Sequence, residues 1–231
     1  MYRLCYVVLL LSSVVNAQTL ERSFALELSP QYGSQRISGT NNATFSQLDR
    51  LDSLEQGGFS YGVGVVYESR VDRIGYTTGL RFTHLGYSIA EQPQPGVGGG
   101  SFTEEVRANY LALPFELNFY QDATERDRVM FFLGVGVQYH LGTHTERTTF
   151  RDGQEVGREE LADDALEYRG FVTSLTTGIG YDRKLSADWA IRFQPTFQFF
   201  LNGNLRPGDT TIANRNFYQV GLRVVVRRLF I

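Results

Sequence analysis

Roughly eight segments of this chain alternate apolar residues with polar or small ones, each for about ten positions, the span a tilted strand needs to cross a bilayer. The clearest runs from Trp189 to Asn202. Trp189, Ile191, Phe193, Pro195, Phe197, Phe199 and Leu201 share one face, and Arg192, Gln194, Thr196, Gln198 and Asn202 share the other. Side chains on a strand point alternately to opposite faces, so one face is greasy and the other carries an arginine. The pattern predicts strands over 22–35, 58–71, 74–89, 106–120, 129–142, 169–183, 189–202 and 216–230. Short connections (Val71-Asp72-Arg73, 121–128 and 184–188) alternate with long ones at 36–57, 90–105, 143–168 and 203–215. That asymmetry predicts an all-β, eight-stranded antiparallel up-and-down transmembrane barrel, with short turns facing the periplasm and long loops outside. An even strand count returns both ends of the chain to the periplasmic side.

The proposed lipid-facing set is free of charge over most of its length. It comprises Phe24, Leu26, Leu28, Pro30 and Tyr32 on the first strand, and Phe59, Tyr61, Val63, Val65 and Tyr67 on the second. The fifth, sixth and eighth strands give the same result, with Arg228 outward only near the chain end, where it can snorkel to the interface. A lipid-facing Arg or Lys at mid-bilayer costs about 2–4 kcal/mol, so a clean face is informative. Aromatics gather at both ends of the segments. Tyr32, Tyr61, Tyr139 and Tyr218 fall toward the outer rim, and Tyr76, Tyr181, Trp189 and Phe230 toward the inner one. Two such girdles mark the two membrane interfaces.

The complementary face holds glycine pairs, such as Gly62 and Gly64 or Gly134 and Gly136, and large charged residues: Glu27, Glu68, Arg81, Glu116, Arg192 and Arg223. The interior of an eight-stranded barrel is only wide enough for side chains to fill. Buried charges must be paired, so the expectation is a salt-bridge network plugging the lumen. A soluble lipocalin-like barrel, the rival fold, would turn its apolar face inward; the inward arginines argue against it.

The first residues set the compartment. Arg3 precedes an apolar run from Leu4 to Val15, and Val15-Asn16-Ala17 supplies the small residues a signal peptidase reads. Residues 1–17 are read as a signal peptide and 18–231 as one outer-membrane barrel domain of a Gram-negative bacterium. Cys5, the only cysteine, would leave with the signal. A mean hydropathy of -0.22 does not count against a membrane barrel, because alternation hides the lipid-facing residues from any average. A net charge of -3 offers no basic surface for nucleic acid. Lys184 is the only lysine.

The loops carry weaker signals. Phe45, Leu48, Leu51 and Leu54 recur three apart and predict a short amphipathic helix on the barrel mouth. Pro93, Pro95, Gly96 and Gly98-Gly99-Gly100 read as flexible and exposed, without the Lys-Ser/Thr of a phosphate cradle. Asp152-Gly153 is a hairpin signal, so the fifth and sixth strands are expected to extend beyond the membrane as a ribbon. Glu159, Glu160, Asp163 and Asp164 form an acidic patch that reads as a solvated face, or as a divalent-cation bridge to lipopolysaccharide phosphates. His84, His140 and His144 show no metal spacing, and there is no G-x-S-x-G elbow. The expectation is no cofactor, no metal and no catalysis, with a lipid-modifying enzyme kept as an alternative.

The segment Tyr110-Leu111-Ala112-Leu113-Pro114-Phe115-Glu116-Leu117-Asn118-Phe119-Tyr120 resembles the "Y-L-E-I-P-L-L-L-K-Y" strand of the PorT-like outer-membrane β-barrel family. Tyr110, Leu111, Leu113, Pro114 and Leu117 agree in kind; Ala112, Glu116 and Asn118 depart from it. The resemblance implies an eight-stranded outer-membrane barrel, and its namesake is linked to a secretion and gliding apparatus. Gln219, Gly221, Val224 and Val226 look like the C-terminal signal read by the barrel-insertion machinery, although the aromatic Phe230 is penultimate and not last. The expected role is a non-enzymatic barrel with a plugged lumen, whose loops serve structural, adhesive or assembly roles. The alternative is an accessory of a secretion apparatus. The expected partners are outer-membrane lipids, lipopolysaccharide, the insertion machinery and a protein docking at the loops.

Overall fold

A computed structural model describes residues 20–39, 43–94, 99–161, 168–206 and 213–230. The expected signal segment at 1–17, the loop positions Pro95, Gly96 and Gly98, and Asp163 and Asp164 lie outside the described residues. The elements are β1 (Leu20–Gly39), α1 (Phe45–Leu54), β2 (Glu55–Val71), β3 (Ile74–Pro93), β4 (Gly100–Asp122), β5 (Asp127–Arg151), β6 (Gln154–Leu161), β7 (Phe171–Lys184), β8 (Trp189–Phe200) and β9 (Ala213–Phe230).

All but β6 form a closed antiparallel ring. Neighbours run β4-β3-β2-β1-β9-β8-β7-β5, and a β4–β5 pairing joins the ends. Closure leaves no unpaired strand edge, the condition for crossing hydrocarbon with β-structure. The short turns are fixed locally. Asp72 takes a positive φ of 55° between β2 and β3, a conformation that Asp tolerates better than most residues. Between β4 and β5, Thr124 Oγ1 accepts the backbone N–H groups of Arg126 and Asp127. Between β7 and β8, the N–H groups of Leu185 and Ser186 both donate to the Trp189 carbonyl, at 2.8 and 3.1 Å.

The faces are arranged inside out relative to a soluble barrel. Phe24, Leu26, Leu28, Val65, Leu133, Val135, Ile179 and Val220 are among the exposed apolar side chains of the outer wall. Glu27, Glu68, Arg81, Glu116, Arg192 and Arg223 are each no more than 5% exposed. This arrangement rules out the lipocalin-like alternative, whose core is apolar.

The long connections hold more structure than the sequence pattern predicts. β3 continues to Pro93 and β4 starts at Gly100, pairing as far as Pro93↔Ser101. The connection expected at 90–105 is therefore mostly strand, because the hydrogen-bond ladder continues past the last alternating residue. Above Tyr139↔Phe171, β5 parts from β7 and pairs with β6, from Thr145↔Leu161 to Arg151↔Gln154. Asp152 and Gly153 have φ of 52° and 77°; a two-residue hairpin turn of this kind needs positive φ at both positions. α1 spans the helix expected in the first loop. The Thr44 N–H donates to Gln47 Oε1 at 3.0 Å at its start. Leu48, Leu51 and Leu54 are half-buried, but Phe45 is 84% exposed and points away from the barrel.

Candidate functional site

The lumen is the chemically richest part of the molecule. Eight of its charged residues form two neutral quartets, each of two arginines and two carboxylates, and Glu21 links the second to the buried Arg128 at the short-turn end, 3.7 Å from Arg227 and 3.0 Å from Arg128. In the first, Arg81 bonds Glu27 and reaches Glu116 at 3.3 Å, while Arg223 Nη1 donates to both Glu116 oxygens at 3.0 and 2.8 Å and Arg223 Nε lies 3.9 Å from Glu27. In the second, Arg192 makes a fork-to-fork pair with Glu68 at 2.6 and 2.8 Å and reaches Asp182 at 3.2 Å. Arg227 completes it, donating to Glu68 at 2.9 Å and to Asp182. Bidentate arginine–carboxylate geometry is the strong form of this interaction. Of the six charged residues read as inward, Glu27, Arg81, Glu116 and Arg223 come together; Glu68 and Arg192 belong to the other quartet. Asp182 and Arg227 were not among the sequence candidates. Period two from Tyr181 and Arg228 would have placed both inward.

Aromatic rings brace the guanidinium groups. Tyr120 lies under Arg192 at 5.7 Å and its hydroxyl accepts from Arg192 at 3.3 Å. Arg223 sits 5.2 Å from the Phe132 ring. Space for these groups comes from glycine. A Cβ at Gly64 would stand 2.7 Å from Glu27 Oε1, and one at Gly134 2.5 Å from Glu116 Cγ.

Toward the outer mouth the lumen becomes uncharged. Gln31, Gln138, Gln198 and Gln219 are buried there, and Gln138 and Gln198 both donate to Ser174 Oγ, at 3.0 and 3.2 Å. Above them lies an apolar layer of Leu85, Tyr87, Val106, Tyr110, Phe200 and Phe217. Its rings meet at 5.6 Å (Tyr87–Phe217), 5.7 Å (Phe200–Phe217) and 5.7 Å (Tyr110–Phe200). The large inward residues are thus not only charged, as the alternation suggested, because rings fill the lumen near this mouth. Arg215 and Glu55 pair at 2.6 Å on top of this layer.

Aromatic residues of the outer wall gather toward both ends, although Phe115 and Phe197 lie nearer its middle. At the short-turn end Phe24 packs on Tyr67 and Phe230 at 5.5 and 5.4 Å, Trp189 lies opposite Arg228, Tyr76 stacks on Phe115 at 6.2 Å, and the Tyr181 hydroxyl donates to Asp127. At the other end Tyr32 donates to the Gly57 carbonyl at 3.0 Å, Tyr139 packs on Phe171 at 5.1 Å, Tyr61 stacks on His84 at 4.9 Å, and Tyr218 lies opposite Phe199. On β9, Gln219 is buried in the lumen and Val226 is exposed on the outer wall. Gly221 admits the Gln31 side chain and Val224 is half-buried.

The three histidines each meet a different partner, although His84 and His144 line one surface depression with Arg107 and Glu160. His84 Nδ1 meets Asn109 Oδ1 at 2.8 Å, His140 Nε2 meets Thr143 Oγ1 at 2.8 Å, and His144 Nε2 meets Glu160 at 2.7 Å. Glu159 lies 3.8 Å from Arg147, so the described part of the acidic patch is paired with basic side chains. Among the described residues no three His, Cys, Asp or Glu side chains are placed to hold a metal ion, and no helix is long and apolar enough to cross a membrane.

No curated protein sequence matches this chain. Among solved structures it is similar to surface protein A of Neisseria, at 9% identity, covering 88% of this chain and 96% of that one with a TM-score of 0.40. Ail, the attachment invasion locus protein of Yersinia pestis, matches at 11% identity over 91% and 98% with a TM-score of 0.27. OprG of Pseudomonas aeruginosa matches at 11% over 91% and 95% with a TM-score of 0.34. The outer membrane protein beta-barrel domain model matches residues 14–207. With that match spanning most of its length, the chain belongs to the outer membrane protein beta-barrel domain family.

Proposed function

We propose that this protein is a closed, non-enzymatic outer-membrane anchor that holds a polar β-sheet above the outer leaflet for contact with partners. One observation carries the reading: two neutral arginine–carboxylate quartets and an aromatic layer lie in series along the lumen. An ion entering it would have to break bidentate pairs in a medium of low dielectric, which costs several kcal/mol per pair. The part raised outside the bilayer is the sheet formed by the upper β3, β4 and β5 with β6, and beside it α1 with its exposed Phe45. An exposed aromatic on a rigid element is the kind of residue that anchors protein interfaces.

Purified protein in a planar lipid bilayer is expected to give no stable conductance, and a steady open-channel current would overturn the reading. Deleting the ribbon at 146–161 is expected to leave heat-modifiable migration intact and to abolish partner contact. The PorT-like resemblance of Tyr110–Tyr120 supports a second reading, a secretion accessory, which predicts lost secreted cargo in a deletion strain. Altered lipid A in that strain would instead select an enzyme. The spacing of Gln219, Gly221, Val224 and Val226 supports recognition by the insertion machinery. Together with the run at 4–15, it supports export through a cleaved signal peptide.

A further inference from the structure

The lipid-facing wall is free of charge in its middle but not at its short-turn end. Arg228 lies there on β9, exposed, opposite Phe24 on one side and Trp189 on the other. Arg22 is exposed on the same face of β1, opposite Phe230. The two arginines are thus diagonal neighbours across the β1–β9 pair, a spacing that long side chains bridge. Neither forms an ion pair among the described residues, whereas Arg183 at the same end pairs with Asp127 at 3.7 Å. Beside Arg228 the wall is grooved. Phe24, Leu26, Val65, Trp189 and Val226 line a depression of about 180 Å³ that opens to the lipid, with Arg228 at its periplasmic end.

We propose that this groove is a binding site for one phospholipid of the periplasmic leaflet, its phosphate held by Arg228 and Arg22 and the start of an acyl chain lying along Leu26, Val65 and Val226. Charge complementarity selects the occupant. Two guanidinium groups lie at headgroup depth with no carboxylate paired to them among the described residues, and a guanidinium fork matches the oxygens of a phosphate. The apolar walls run from that point toward the bilayer centre, as an acyl chain does. Trp189 adds an indole N–H at the polar end of an otherwise apolar groove, the position this side chain favours at interfaces. Phe24 and Phe230, in contact at 5.4 Å, give the arginine stems an apolar floor. The proposal rests on the family's membrane placement and not on the closed lumen, so the conductance test and this one fail independently.

Native mass spectrometry of the full-length protein, released in detergent and titrated with dioleoylphosphatidylglycerol, tests it. The wild type is expected to retain one phosphatidylglycerol per barrel. R22Q/R228Q, checked for folding by heat-modifiable migration, is expected to bind it at least tenfold more weakly. Unchanged affinity in the folded double variant would overturn the proposal. A second comparison needs no variant: dioleoylglycerol, which has the same chains and no phosphate, is expected to be lost under conditions that keep phosphatidylglycerol. Equal retention of the two would also overturn it.

Discussion

Arg223 on β9 donates through a single nitrogen to both carboxylate oxygens of Glu116 on β4, at 3.0 and 2.8 Å, and these two strands stand on opposite sides of the eight-stranded ring. The pair is a strap across the lumen. Removing one partner leaves a buried charge unmatched, which costs about 3–5 kcal/mol. Arg223→Met is expected to fall at the low end, about 3 kcal/mol, because Arg81 keeps its 3.3 Å hold on Glu116. Adding Glu116→Leu leaves Arg81 balanced by Glu27, so the double variant is expected within about 1 kcal/mol of the parent. Urea unfolding from lipid vesicles measures both.

The straps need room, and Gly134 provides it. A Cβ there would lie 2.5 Å from Glu116 Cγ and 2.9 Å from the Phe115 carbonyl, so the carboxylate would have to leave its arginines. Gly134→Ala is expected to destabilise by about 1–3 kcal/mol, the range for overpacking. Gly157 on exposed β6 has nothing within 4 Å of such a Cβ. Gly157→Ala is expected to be neutral or to stabilise by about 0.5 kcal/mol, since Ala restricts the unfolded chain more than Gly does. The same unfolding assay compares the two.

The ring was legible in the sequence where lipid lies on one side and the lumen on the other, because that contrast is what writes period two into a strand. The upper parts of β3, β4 and β5 meet water on both faces, so nothing there forces alternation, and only Asp152-Gly153 betrayed the ribbon. The inward charges were legible one strand at a time, but their partners were not. Glu68 bonds Arg192 across three steps of the ring, a match set by closure and register and not by local spacing. Asp182 and Arg227 sit in polar runs at strand ends, Asp182-Arg183-Lys184 and Arg227-Arg228. There the outward residues are charged as well, and the contrast between faces is lost.

The outer wall makes its own prediction. Val135 is exposed at mid-length of the membrane part of β5, between Phe115 and Leu175 on the flanking strands. Val135→Arg is expected to cost about 2–4 kcal/mol in vesicles, as for other mid-bilayer arginines. Val156 on β6 is equally exposed but lies beyond the membrane. Val156→Arg is expected to change stability by no more than about 0.5 kcal/mol. Equal costs at the two sites would mean that the outer wall does not face lipid.

Asp127 opens β5 at the short-turn end, where its carboxylate accepts from the Tyr181 hydroxyl at 2.6 Å and from Thr124 Oγ1 at 2.8 Å. Those hydrogen bonds, Tyr181's first, hold the Asp127 carboxyl below the usual carboxylate range. A carboxyl whose pKa is lower folded than unfolded contributes stability above the unfolded value, and loses it as pH falls through the folded one. Tyr181→Phe removes the leading cause, so the Asp127 titration is expected to move up toward the ordinary range. The stability this carboxylate contributes is then smaller, and its acid loss, which still sets in at the unfolded value, is complete at a higher pH. Carboxyl-carbon NMR shifts of Asp127 in the two proteins measure the displacement. An unchanged midpoint would mean that the tyrosine hydroxyl does not hold the charge, leaving Thr124 and the neighbouring Arg183 and Arg126 as the groups that do.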